Sequence, residues 1–131
     1  MFTAMNATPS VSGQPIEVTS QNLETLLNSN DIVILDFWAA WCGPCRMFGP
    51  IFERAAARHP SIVFGKIDTE KQQDLAASFQ IRSIPMLIAF RQNIVVFAQP
   101  GALPEAAFEE LIGKIQALDM EKVRQEVEAQ G

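Results

Sequence analysis

The chain is poor in metal ligands. Its 131 residues include two cysteines and one histidine. A structural zinc site takes four ligands from Cys and His, so a complete site within one chain would need a carboxylate, and no metal is expected. The histidine, His59, falls at the expected end of a helix just before Pro60. A positive charge there complements the exposed carbonyls. Basic residues are also few and unclustered: 10 Lys and Arg stand against 15 Asp and Glu, for a net charge of −5. A nucleic-acid surface needs clustered Lys and Arg, so that class of partner is excluded. No apolar run approaches the roughly 18 residues needed to cross a bilayer. Residues 1–10 have neither a basic nor an apolar leader segment, so no secretory signal is expected. No internal repeat is visible. Together these absences lead to the expectation of a cytoplasmic protein without membrane contact.

What is present is concentrated in one stretch. Both cysteines lie in Trp41-Cys42-Gly43-Pro44-Cys45. In a reducing compartment a C-x-x-C beside a βαβ pattern is a redox motif and not a staple. The loop it closes is too short to remove much unfolded-state entropy. The apolar run 32–38 precedes the motif and a helical pattern follows it. The thiols therefore sit where a strand passes into a helix N-terminus, whose unpaired N–H groups and partial positive charge favour a thiolate. Cys42, nearer the strand, is expected to be the more exposed and attacking sulfur. Cys45, inside the first helical turn, would resolve the mixed disulfide.

The remainder reads as one α/β domain, with 48% apolar residues to fill a core. A short strand is expected at 16–18. Thr19 or Ser20 would cap a helix burying Leu23, Leu26 and Leu27, which ends by Asp31. The run 32–38 is apolar in both alternations, as in a strand covered on both faces, and is broken only by Asp36. A carboxylate buried there would have a raised pKa; at a sheet edge it would be solvated. The next helix, 44–59, would present Met47, Phe48, Ile51, Phe52, Ala55 and Ala56 to the core and kink at Pro50. A strand follows at 62–68, and Thr69 with Gln72 fits a capping box for a short helix burying Leu75, Ala76 and Phe79. Strands at 84–90 and 94–97 flank a turn at Arg91-Gln92-Asn93, and Gly101 breaks the second. A helix starting near Pro104 carries the stripe Phe108, Leu111, Ile112, Ile115 and Leu118. Asp119 would cap a separate helix, with Leu118 and Val123 as a staple; alternatively one helix continues to about Val127. The expected division is a flexible tail at 1–14, whose role as a loose end or an added surface strand stays open, a domain at 15–118 and a polar helical extension at 119–131.

The segment from Asp36 to Met47 resembles the active site of the thioredoxin family. Lys66-Ile67-Asp68, Arg82-Ser83-Ile84-Pro85 and Pro100-Gly101-Ala102 match further family segments in order, over residues 16 to 115. This resemblance implies a mixed β-sheet of four to five strands flanked by helices on both faces, with a cis-Pro loop beside the C-x-x-C. It assigns Asp36 as the buried acid–base group for Cys45 and gives Lys66 the task of tuning it. Gly43 and Pro44 would make the pair reducing. Pro85 would be cis, and Trp41, Ile84, Gly101 and Ala102 would form the target-contact face, with Trp38 packed beneath. The implied activity is protein-disulfide reduction by a monomer without a bound cofactor. Thioredoxin reductase would recharge it with electrons from a nicotinamide, and the targets would be disulfide proteins such as peroxiredoxins and reductases. Two other readings are a binding module with an incidental redox pair and a thiol oxidase or isomerase. Ser83, Met86 and Pro100 depart from common family residues around the groove and bear on partner choice.

Overall fold

A computed structural model of the chain describes residues 12–130; most of the tail expected at 1–14 lies outside them. Ten elements follow in order: β1 (Ile16–Glu17), α1 (Leu23–Ser29), β2 (Ile32–Trp38), α2 (Gly43–Arg58), β3 (Val63–Asp68), α3 (Gln73–Ser78), β4 (Met86–Arg91), β5 (Ile94–Pro100), α4 (Glu105–Gln116) and α5 (Met120–Gln130). The strands form one sheet in the order β1-β3-β2-β4-β5. β2 runs parallel to β3 and antiparallel to β4, so the sheet is mixed and β2 is its middle strand.

The apolar run of β2 feeds two cores, because successive side chains point to opposite faces. Ile32 and Ile34 pack with Phe48, Phe52, Ala55 and Ala56 of α2 and with Phe108, Ile112 and Ile115 of α4. Val33, Leu35 and Phe37 pack on the other side with Leu23 of α1, Ile67 and Ile88, and with Leu75 and Phe79 around α3. On the first face the rings of Phe48, Phe52, Phe64 and Phe108 meet with centroids 5.3 to 6.3 Å apart. On the second, Gly65 is needed for close approach: a Cβ there would stand 2.5 Å from Val18 Cγ2 and 3.0 Å from Leu35 Cδ2.

Several local expectations are corrected. Thr19 and Ser20 do not cap α1: the Thr19 hydroxyl accepts from Gln21 N at 3.1 Å, in the turn before the helix, and the N-cap position is Asn22. The Thr69–Gln72 capping box does not form either. Thr69 is drawn to β2, its N–H and hydroxyl both donating to the Trp38 carbonyl at 2.9 and 3.1 Å. The Gln72 side chain accepts from Ser20 N at 3.3 Å. β4 begins at Met86, two residues later than expected, and β5 continues past Phe97 to Pro100. The turn between them takes positive φ at both Gln92 and Asn93 (53° and 63°), which suits a tight two-residue hairpin. After α4 the chain breaks and restarts as α5, with Asp119 Oδ1 accepting from the N–H groups of Glu121 and Lys122 at 3.1 and 3.3 Å. Met120 is buried at that junction. Among the described residues, no helix is long and apolar enough to cross a membrane.

Candidate active site

The C-terminal end of β2 delivers the chain into α2, and the cysteines occupy that junction. Cys42 is the N-cap residue of α2, with an extended backbone, and its sulfur accepts from the Cys45 N–H at 3.2 Å. Sulfur thus takes the place an oxygen holds in an ordinary helix cap. Gly43 and Pro44 fill the first helical positions, where proline's missing N–H is no loss. The two sulfurs are joined as a disulfide with Cα atoms 5.2 Å apart. Ala39, Trp38 and Ile84 pack around them. The expected contrast in exposure is absent from this disulfide state: both cysteines are 4% exposed. Position still separates them, because the Cys42 sulfur lies 3.8 Å from the Ile84 carbonyl oxygen across the groove.

Asp36 stands on β2, six residues before Cys42. It is 1% exposed, and neither carboxylate oxygen has a hydrogen-bond partner. Strand alternation puts it on the Ile32–Ile34 face, the one α2 covers. β2 is the middle strand, so the solvated-edge alternative for Asp36 does not hold. Loss of water raises its pKa from 3.8 to about 7, with the charge of Lys66 pulling the other way. Lys66 stands directly opposite Asp36 in the β2–β3 register. Its ammonium also lies 4.6 Å from the centroid of the Trp38 ring. The structure therefore brings Asp36, Lys66 and the C-x-x-C to one end of the sheet.

The remaining predicted residues form the rim. The Ile84–Pro85 bond is cis. Pro85 O accepts from Gly101 N at 2.8 Å, which brings the Gly101–Ala102 loop against the proline. Gly101 has φ +104°, a conformation that favours glycine. Trp41 is 66% exposed, Ile84 is half-buried, and Gly101 and Ala102 are exposed. Two of the departures from the family pattern are one feature, since Met86 and Pro100 face each other in the β4–β5 ladder. Met86 packs toward the core that α1 and α3 cover. Met47, expected in the core, is 75% exposed; the true inward positions of that turn are Cys45 and Phe48. Glu70 was not anticipated: its Oε2 accepts from the Trp41 indole N–H. No local motif marks this contact, since Glu70 comes from the loop after β3. Among the described residues, no group of three His, Cys, Asp or Glu side chains could hold a metal ion.

Comparison with known proteins agrees with this geometry. The family model described as Thioredoxin matches residues 14–114. "Putative thioredoxin 2" of Streptomyces coelicolor is 51% identical over 115 residues, covering 88% of this chain and 86% of that protein. "Thioredoxin C-3" of Corynebacterium nephridii is 43% identical over 91 residues, covering 69% of this chain and 63% of its own length. Among solved structures, a mutant thioredoxin from Halobacterium salinarum superposes with a TM-score of 0.76 at 31% identity, covering 85% of this chain and 98% of that one.

Proposed function

Because this chain belongs to the thioredoxin family and is a thiol–disulfide reductase, we propose that Cys42 is its attacking sulfur and Cys45 its resolving one. The observation that carries the assignment is the Cys45 N–H directed at the Cys42 sulfur from the start of α2. That donor and the helix end favour negative charge on Cys42 over the neutral thiol. In the reduced protein the Cys42 thiolate attacks one sulfur of a target disulfide and displaces the other as a thiolate. Cys45 then attacks the Cys42 sulfur, releasing the second target thiolate and leaving the Cys42–Cys45 disulfide. Two electrons pass to the target, which takes up protons at its two sulfurs. Cys45 must lose its proton to attack. Asp36, with a pKa of about 7, is the base that receives it, and the charge of Lys66 keeps that pKa from rising further.

Trp41, Ile84, Pro85, Gly101 and Ala102 form the surface against which a target chain is held, with Gly43 and Pro44 setting the reducing balance of the pair. An external thioredoxin reductase returns the electrons, and targets such as peroxiredoxins and reductases consume them. The protein needs no bound cofactor and acts as a cytoplasmic monomer, with the domain at 15–118 sufficient for the chemistry and 119–131 an accessory helix. In an insulin-reduction assay, Cys42→Ser abolishes turnover. Cys45→Ser also fails to turn over, yet accumulates mixed disulfides through Cys42. Mixed disulfides carried by Cys45 in Cys42→Ser, and none by Cys42 in Cys45→Ser, would reverse the two roles.

A further inference from the structure

We propose that Glu17 is a positioning residue for the resolving step: from the edge strand β1 its charge keeps the Lys66 ammonium out over the Trp38 ring and off the Asp36 carboxylate. Lys66 on β3 is flanked in register by Asp36 on β2 and by Glu17 on β1, so the three side chains stand in one row on one face of the sheet. Trp38 and Asp68, each two residues further along its strand, share that face. An ammonium directly opposite a buried, unpartnered carboxylate is expected to close on it. It does not: neither Asp36 oxygen has a hydrogen-bond partner, and Lys66 Nζ lies 4.6 Å from the centroid of the Trp38 ring.

A ring face alone is a weak hold on a half-buried ammonium. A further pull comes from the cleft of about 290 Å³ beside it, which Glu17, Trp38, Lys66, Asp68 and Lys71 line. Two of these residues are acids. Asp68 is engaged in its own turn, Oδ1 accepting from the N–H groups of Glu70 and Lys71 at 2.9 and 3.4 Å. Glu17 is exposed. Asn22 Nδ2 donates to its backbone carbonyl at 3.0 Å, and its carboxylate has no partner among the described residues, so its charge acts across the cleft. The exposed Lys71 is the remaining charge there. α2, which covers Asp36, buries only Cys45, Phe48, Phe52, Ala55 and Ala56. An ammonium seated on Asp36 would stabilise the carboxylate and weaken it as a base. Held over Trp38, Lys66 tempers Asp36 from a distance, in keeping with burial outweighing Lys66 in the raised pKa of that carboxyl.

The inference rests on Asp36 being the base for Cys45, so its test has two readouts. One is the ¹³C titration of the Asp36 carboxyl in the disulfide form of the full chain, at low salt, where an exposed charge is least screened. The other is the pH profile of mixed-disulfide release when the reduced chain meets a disulfide peptide in a single turnover. Glu17→Gln should lower the Asp36 midpoint by about half a pH unit, roughly a threefold change in its ionised-to-protonated ratio, and shift the release profile down with it. Glu17→Asp, which keeps the charge, should hold the parent midpoint. In a Lys66→Met background Glu17→Gln should move nothing, since the group it acts through is gone. An unmoved midpoint in Glu17→Gln overturns the proposal. So does an equal shift in the Lys66→Met background, or a shift in Glu17→Asp as large as in Glu17→Gln. A shifted midpoint with an unshifted release profile instead overturns Asp36 as the base, and with it the part given to Glu17 in resolution.

Discussion

Asp36 is where burial costs the molecule stability. A buried carboxylate without a hydrogen-bond partner resists ionisation, and its pKa of about 7 stands against 3.8 in an unfolded chain. Between about pH 4 and pH 7 the folded protein therefore holds a proton that the unfolded chain has released. Its contribution to stability is complete below the lower value and is lost as pH rises through the upper one. At 1.36 kcal/mol per unit, the loss at pH 8 is about 4 kcal/mol. Asp36→Asn should accordingly unfold about 2 to 4 kcal/mol harder than the parent in urea at pH 8, with most of the gain absent at pH 4. The same variant should release mixed disulfides more slowly, since in the proposed mechanism Cys45 loses its base. An equal stability gain at both pH values would show that Asp36 does not titrate as described. The presence of a buried acid was legible in the sequence, because one Asp interrupts an otherwise apolar strand. Its lack of partners was not, since that depends on which side chains from α2 and β3 come near it.

Among the elements, α2 and α4 are joined by more than their phenylalanines. Arg54 and Arg58 both pair with Glu105, at 3.0 and 2.9 Å, and Arg58 and His59 pair with Glu109, at 3.0 and 2.7 Å. The arginines hold the Glu105 carboxyl well below its usual range. His59 was expected only to complement a helix end; it also reaches a neighbouring helix. Arg91 was expected merely to begin a turn. Instead one nitrogen of its guanidinium donates to the carbonyls of Ile115, Gln116 and Leu118 at 2.9, 3.0 and 3.1 Å, closing the C-terminal end of α4. It also faces Asp31 at 3.5 Å. Arg91→Ala should cost about 2 kcal/mol of unfolding free energy, with faster amide exchange at the end of α4 and in α5. Arg91→Lys should recover only part, since one ammonium cannot span both the carbonyls and Asp31. Parent-like stability and exchange in Arg91→Ala would contradict this role. Element existence and order were legible from apolar periodicity. The Asp119 cap was legible, but the Thr69–Gln72 box was not a true cap, because Thr69 and Gln72 had partners 31 and 52 positions away in the chain, and tertiary partners outweighed the local motif.

At the scale of the whole molecule, the sheet order places β2 between β3 and β4, and the chemistry follows from that position. A strand covered on both faces can bury Asp36. The same strand runs out into α2, which carries Cys42 and Cys45 at its start, while β3 and the loop before β4 supply Lys66 and Pro85. The segments that matched a known family were these junctions, which is why their residues could be singled out before the fold was seen. α5 lies beyond the residues 14–114 that the family model matches; its polar sequence gave no hint of the buried Met120. What unites the site is a pair poised to give electrons away, and the most direct measurement of that is the midpoint potential of the Cys42–Cys45 couple in the full chain, equilibrated against thiol buffers. A value below the cytosolic glutathione poise, itself roughly −220 to −260 mV by extraction, is expected of a reductant. A value well above it would contradict the reductase and assign the same thiols to oxidation or isomerisation.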